Sequence, residues 1–255
     1  MSAASVMTGA SASLAVAALL SAVHLFAPEL RPDGRLSGRR WISFAGGVSA
    51  GYVFLHILPQ LAHRQASIPD LGIALLAGRE VFLIALCGLL GFYSLERLAR
   101  RLSGDKGARS PSGRGTGFGL WLHAVSFALY SAIVGYLLSQ AKDAQAPALA
   151  AFAFAVAFGL HFFVNDQSLR RHHGDFHRSH IRWLLAGAVL LGWFAGLLLP
   201  ITDHHVTIVY AFLAGGMILN ILKEELPEER QGVVSAFLAG ASVFVLASLV
   251  MALEG

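Results

Sequence analysis

The sequence predicts an all-α fold, a polytopic membrane bundle of eight transmembrane helices. Of its 255 residues, 56% are apolar and only 13% are charged. The apolar residues form eight long runs, and about 20 such residues are enough for a helix to cross a bilayer. The runs lack strand-like alternation, so helices are the expected way to satisfy backbone groups in lipid.

The eight runs are separated by polar connections, most of them short. A single membrane domain therefore covers residues 1–255. The Gly-, Ser- and Arg-rich connection 100–117, after the third span, is predicted to be a flexible cytoplasmic loop. The predicted spans are 6–26, 41–61, 75–95, 118–138, 147–167, 183–200, 206–222 and 233–253.

Arginine and lysine positions give the orientation. With the amino terminus outside, 16 of the 19 basic residues fall in connections on the inside, and only Arg64, Arg79 and Lys142 fall outside. Positive charge is retained on the cytoplasmic side. We therefore expect both termini outside, in a cell membrane such as a bacterial inner membrane. This orientation explains the net charge of +4, which does not indicate a nucleic-acid partner.

Three features of the early spans are explained by structure and not by function. The first span is too long for a cleaved signal peptide and lacks a basic segment before it. His24, near its inner end, is predicted to be a packed or interfacial residue. Cys87 is the only cysteine, so an internal disulfide is excluded, and its apolar surroundings indicate a small buried hydrophobe.

The second span combines His56 with Pro59, an ionisable ring beside a helix break. Either the histidine is satisfied locally at a kink, or it belongs to a transport pathway. Laying Pro59 over Pro227 aligns His56 with Glu224. Because the second and seventh spans run in opposite directions, this alignment predicts an inverted repeat of three spans plus three.

The fourth and fifth spans carry the polar residues of greatest interest. His161 and Asn165 are four residues apart and share a helix face, whereas Asp166 is rotated by about 140° from His161, toward Phe162. These groups either bind a divalent transition metal or hydrogen-bond between helices without an ion. The candidate set is His123, Ser126, Tyr130, His161, Asn165 and Asp166.

The connection 170–182 contains a cluster of histidines. It either binds a divalent metal transiently or is a hydrated basic loop that supports the topology. Its members are His172, His173, His177 and His180.

Layout and motifs together resemble the ZIP (ZRT/IRT-like) family of divalent metal transporters. Residues 54–59, Phe-Leu-His-Ile-Leu-Pro, are similar to the family's FLHLLP run, and residues 225–228, Glu-Leu-Pro-Glu, are similar to its LLPE ending. The eight spans, external termini, polar loop after span three and 3+2+3 arrangement also match. The family's transport site comes from spans four and five, with motifs H-N-x-P-E-G and H-E/D-x-P-H/E.

In span five, the resemblance places His161 at the first ligand position. Phe162 then replaces an acid and Val164 a proline. Asn165 falls where histidine or an acid is expected, and Asp166 falls on an optional last acid.

Span four fits the family motif in two registers. One places His123 on the histidine and Phe127 on the glutamate. The other places residues 130–135 on the family's E-G-L-A-V-G and Ser126 on the histidine. Both lack the main bridging carboxylate, and span 183–200 lacks the acid that the family often has there.

The resemblance implies a divergent transporter of a divalent cation such as zinc, moving it inward by an elevator-like or rocking motion. His161, Asn165 and His123 would be ligands, Asp166 an auxiliary acid, and His56 and Glu224 gate or relay groups. Small residues on several spans allow a homodimer. The other expected partners are the lipid bilayer and the transported ion, and no tightly bound cofactor is expected.

Two alternatives stay open beside metal transport. One is a ZIP-like scaffold or metal sensor that transports nothing. The other is transport of a neutral solute, hydrogen-bonded by Ser126, Tyr130 and Asn165. We do not expect an enzyme, because the sequence contains no nucleophile–base motif and no H-E-x-x-H.

Overall fold

The computed structural model describes residues 3–27, 29, 35–68, 77–102, 117–140, 148–176, 180–225 and 233–254. These residues are helical almost throughout and form no strand, which confirms the all-α bundle. The helices are α1 (Ala3–Phe26), α2 (Arg35–Tyr52), α3 (Leu58–Arg64), α4 (Glu80–Leu102), α5 (Gly117–Gln140), α6 (Ala148–Phe176), α7 (Arg182–Leu198), α8 (Asp203–Asn220) and α9 (Val234–Glu254).

Two of these helices are extended by wide π-helical turns. α2 continues through the turn Val53–Ile57 directly into α3, so the three form one rod. α8 continues into a second such turn, Ile221–Glu225. Within the described residues, the nine helices therefore make eight rods, one for each predicted span. The first wide turn precedes Pro59, which cannot donate a backbone hydrogen bond, and the helix passes the proline without ending.

Several rods are suited to a membrane by length and composition. Within the part of the chain that the structure describes, four are long and apolar enough to cross one, and three more apolar helices are shorter. The chain is therefore compatible with a multi-helix membrane protein. The four long stretches are Gly38–Ser67, Glu80–Ala99, Trp121–Gln140 and Asp203–Lys223.

Two helix boundaries differ from the predicted spans. α6 continues well beyond residue 167, because residues 169–171 (Leu-Arg-Arg) are good helix formers. His172 and His173 consequently lie at the end of a helix. α4 begins at residue 80, later than the predicted 75. Just before it, Gly78 has φ +73°, a left-handed conformation that glycine adopts without strain.

Close glycine contacts join the second rod to α9. A Cβ on Gly47 would overlap the carbonyl of Phe237, and a Cβ on Gly240 would overlap the carbonyl of Phe44. Each glycine thus lets the opposite backbone approach, as small residues do between membrane helices. The same arrangement joins α4 to α8, where Gly88 faces the carbonyl of Phe212, and Gly215 that of Ala85.

These two interfaces repeat each other residue by residue. On the second and seventh rods, equivalent positions are 168 residues apart, and on the third and eighth they are 152 apart. The predicted repeat therefore extends from the proline alignment to the contacts themselves. The equivalent positions are Phe44 and Phe212, Gly47 and Gly215, Val53 and Ile221, Pro59 and Pro227, Ala85 and Phe237, and Gly88 and Gly240.

The repeat is inverted. Gln65, at the end of the second rod, donates a hydrogen bond to Glu80 at the start of α4 (2.5 Å), so these two rods run antiparallel. Phe212 and Gly216 of α8 pack against Gly88 and Phe92 of α4 in the same order along both chains, so α8 runs parallel to α4. The seventh rod therefore runs opposite to the second.

The remaining rods are α1, α5, α6 and α7, which hold most of the candidate residues, and α6 packs on both α1 and α2. α5 and α7 pack closely through Gly135 and Gly192. α1 runs antiparallel to α7, since Ser21 Oγ donates to the Ala186 carbonyl (3.1 Å) and Trp193 Nε1 donates to Ser13 Oγ (3.1 Å). These rods contact the rods of the repeat where α4 and α8 pack on α5, and where α2 packs on α6.

Candidate functional site

His161 lies at the centre of the candidate site and is fully buried. Its Nε2 is 3.1 Å from Asn165 Nδ2 and 3.3 Å from the hydroxyl of Tyr130 on α5. When Nε2 accepts from both neighbours, the ring is the neutral tautomer with its proton on Nδ1. A neutral imidazole is the form that binds a metal ion. This contact joins Tyr130 of α5 to His161 of α6.

Asn165 presents an oxygen with no hydrogen bond within the described part of the chain. The residue is only 2% exposed, so water does not satisfy this oxygen from outside. A buried acceptor without a partner costs about 1–3 kcal/mol. Rotation of the amide group exchanges its oxygen and nitrogen, which would bring the oxygen toward His161 Nε2. The pair can therefore offer one imidazole nitrogen and one amide oxygen to a cation.

A small cavity lies between α4, α5 and α8. Its volume is about 20 Å³, enough for about one water molecule. We call it the three-helix cavity. Tyr130 lines it and also contacts His161, so the tyrosine links the cavity to the buried pair. The lining residues are Phe92, Glu96, His123, Ser126, Phe127, Tyr130, Leu219 and Asn220.

Asp166 lies on a different face of α6 from His161, as the helical rotation predicts. Its Oδ2 is 2.9 Å from Nδ1 of His24 on α1, and both side chains are buried. The ring of Phe162 stacks on His24 at 4.4 Å, and Ser131 Oγ is 3.4 Å from His24 Nε2. The structure therefore places Asp166 in a pair that joins α1 to α6. It also places His24 among packed groups, as predicted.

Two polar residues of the cavity were missed by the sequence analysis. Glu96 on α4 and Asn220 on α8 both line the three-helix cavity, and Glu96 forms an ion pair with Lys223. Their signal was present, because polar residues at the ends of apolar spans usually face a cavity or a partner.

His56, one of the two predicted gate or relay residues, lies outside this cluster. His56 stacks on Tyr52, with ring centroids 4.9 Å apart, within the wide turn of the second rod. The backbone of Glu224 lies in the equivalent turn, and its side chain is outside the described part. Where side chains are described, no three from His, Cys, Asp and Glu gather closely enough to share a metal ion.

The histidine loop is described only in part. His172 and His173 lie in the last turns of α6, and the structure does not describe their side chains. His177 is outside the described residues altogether, and His180 is exposed before α7. Most of the predicted cytoplasmic loop, residues 103–116, also lies outside.

Compared with known proteins, the chain matches no family model and no curated protein sequence.

Proposed function

We propose that the chain is a ZIP-like membrane carrier for a divalent cation such as zinc, with both termini outside. One observation carries the proposal. A connected row of polar side chains runs through an otherwise apolar bundle, from the three-helix cavity through Tyr130 to His161 and Asn165. Polar groups at such depth in a membrane helix bundle usually mark a substrate path.

The ligand chemistry favours a borderline divalent ion. His161 offers an imidazole nitrogen and Asn165 an amide oxygen, and His123 and Ser126 lie farther along the same row. Nitrogen and oxygen donors of this kind suit zinc. The contact between Tyr130 and His161 also favours the register that aligns Tyr130 with the family's glutamate and Ser126 with its histidine.

The inverted repeat supports alternating access. Phe92 lines the three-helix cavity, and its repeat equivalent is Phe244. Asn220 lines the same cavity, and its equivalent is Tyr52. At the equivalent place, Phe244 packs on Gly51 and lies 5.6 Å from the Tyr52 ring. A cavity wall in one half of the repeat thus corresponds to an aromatic contact in the other, and such a difference between repeats fits a carrier in one of two related states.

Uptake of zinc by vesicles containing the purified protein tests the proposal. We expect uptake above that of empty vesicles. His161→Ala should reduce the rate about tenfold or more, since losing even a partner of a ligand costs about 10–100-fold. His205→Ala is the matched control, because this exposed histidine lies outside the row, and its uptake should equal wild type.

Two results would go against the proposal. Uptake equal to that of empty vesicles would exclude transport of this ion. Normal uptake by His161→Ala would leave transport standing and remove the assigned site.

A protein that binds the ion without transporting it is the second candidate. The observation that favours it is the position of Tyr130, whose buried side chain fills the space between the cavity and His161. In this reading the tyrosine is a permanent seal. Tyr130→Phe distinguishes a carrier from a sealed, ion-binding protein. In a carrier, removing the hydroxyl should change the rate of zinc uptake. A sealed protein should give no uptake with either residue.

A further inference from the structure

Lys223 and Glu96 form an ion pair at the edge of the three-helix cavity. Lys223 belongs to the wide turn Ile221–Glu225 that extends α8, and Glu96 comes from α4. The Glu96 side chain is 13% exposed and that of Lys223 is 28% exposed. The acid is therefore the more enclosed partner and the lysine the one nearer to solvent.

A carboxylate enclosed to this degree needs a positive partner, because removing a charge from water costs several kcal/mol. Lysine meets this need with a compact ammonium group on a flexible four-carbon chain. The ammonium can leave Glu96 by side-chain rotation alone. Lys223 is thus a counter-charge that can be removed without moving a helix.

The same cavity brings together three groups that bind metal ions. Glu96 supplies a carboxylate, His123 an imidazole and Asn220 an amide, each from a different helix. This mixture of oxygen and nitrogen donors suits zinc and related divalent ions. Glu96 also provides, from α4, an acid of the kind that both registers of span four lack.

We propose that Glu96, His123 and Asn220 form a second binding site for a divalent cation, and that Lys223 is a tethered cation which the ion displaces. The ion binds when the ammonium swings out toward solvent, and the returning ammonium drives the ion off. Only the later passage of the bound ion across the membrane rests on the proposed function. The site itself depends on the cavity and the ion pair.

Amine labelling in solution tests the displacement directly. The purified protein in detergent is treated with an acetylating reagent, with and without zinc, and acetylation is read by mass spectrometry. The chain has three lysines, Lys106, Lys142 and Lys223. We expect zinc to make Lys223 react several times faster while the other two keep their rates. An unchanged rate at Lys223 would overturn the proposal.

Zinc binding by variants gives a second readout. Lys223→Met should tighten binding on the order of tenfold, because a competing positive charge is removed. Glu96→Gln should weaken it by a similar factor and make the Lys223 labelling rate independent of zinc. Equal affinity in wild type and Lys223→Met would contradict the competition. If Lys223→Met does not fold, the effect of zinc on the Lys223 labelling rate is compared between wild type and Glu96→Gln, and this comparison tests the proposal instead.

These outcomes separate the site from the transport function. Faster labelling together with no vesicle uptake would keep the site and remove the carrier function. Uptake without any zinc effect on Lys223 would keep the carrier and remove the tethered cation.

Discussion

Asp166→Ala is expected to lower the free energy of unfolding by about 1–3 kcal/mol, the usual cost of leaving a buried hydrogen-bonding group without its partner. Asp166 and His24 are 0% and 2% exposed, and Asp166 Oδ2 lies 2.9 Å from His24 Nδ1. Removing the acid leaves His24 buried beneath Phe162 without this partner. Unfolding of the purified protein in mixed micelles, followed by circular dichroism, measures the loss.

The chain contains a matched control for this experiment. Arg182 and Glu29 are also 2.9 Å apart, but their side chains are 21% and 49% exposed. Exposed pairs contribute about 0–1 kcal/mol, so Glu29→Ala should have little effect. If Asp166→Ala cost no more than Glu29→Ala, the pair would not be what joins α1 to α6. Replacing both His24 and Asp166 with leucine should recover much of the loss, since no lone polar group then remains buried.

Gly192→Ala is expected to destabilise the protein by about 3 kcal/mol, at the upper end for an overpacked contact. The added Cβ would overlap the carbonyl oxygen of Ala132 on α5, which is backbone and cannot rotate away. The α5 and α7 helices would have to separate. The same micelle unfolding experiment measures the effect.

Gly187→Ala in the same helix is the control. A Cβ at Gly187 meets nothing within 4 Å. Because alanine favours a helix over glycine by about 1 kcal/mol, this variant should be neutral or slightly stabilised. Equal effects at the two positions would mean that the close approach of α5 and α7 does not hold them together.

Much of the helix arrangement could be read from the sequence because its causes are local. Long apolar runs gave the eight rods, and the alignment of Pro59 with Pro227 predicted the repeat. The helix ends were harder to place. The end of α6 depended on residues such as Arg170, which continue a helix as readily as they begin a loop.

The candidate site was predictable only within single helices. The rotation of Asp166 away from His161 follows from helix geometry alone. That His24 would be its partner could not be deduced, because 142 residues separate them along the chain. The contact between Glu96 and Lys223 could not be deduced either. It depends on the packing of α4 on α8, which no local sequence pattern specifies.

The glycine interfaces can form only after both of their helices have been synthesised. Gly47 packs against Phe237, so its partner is made 190 residues later. At about 5–20 residues per second, the wait is about 10–40 s. During that time the glycine face of the second rod has no permanent neighbour. Until the ribosome completes α9, lipid or another protein must therefore cover this face.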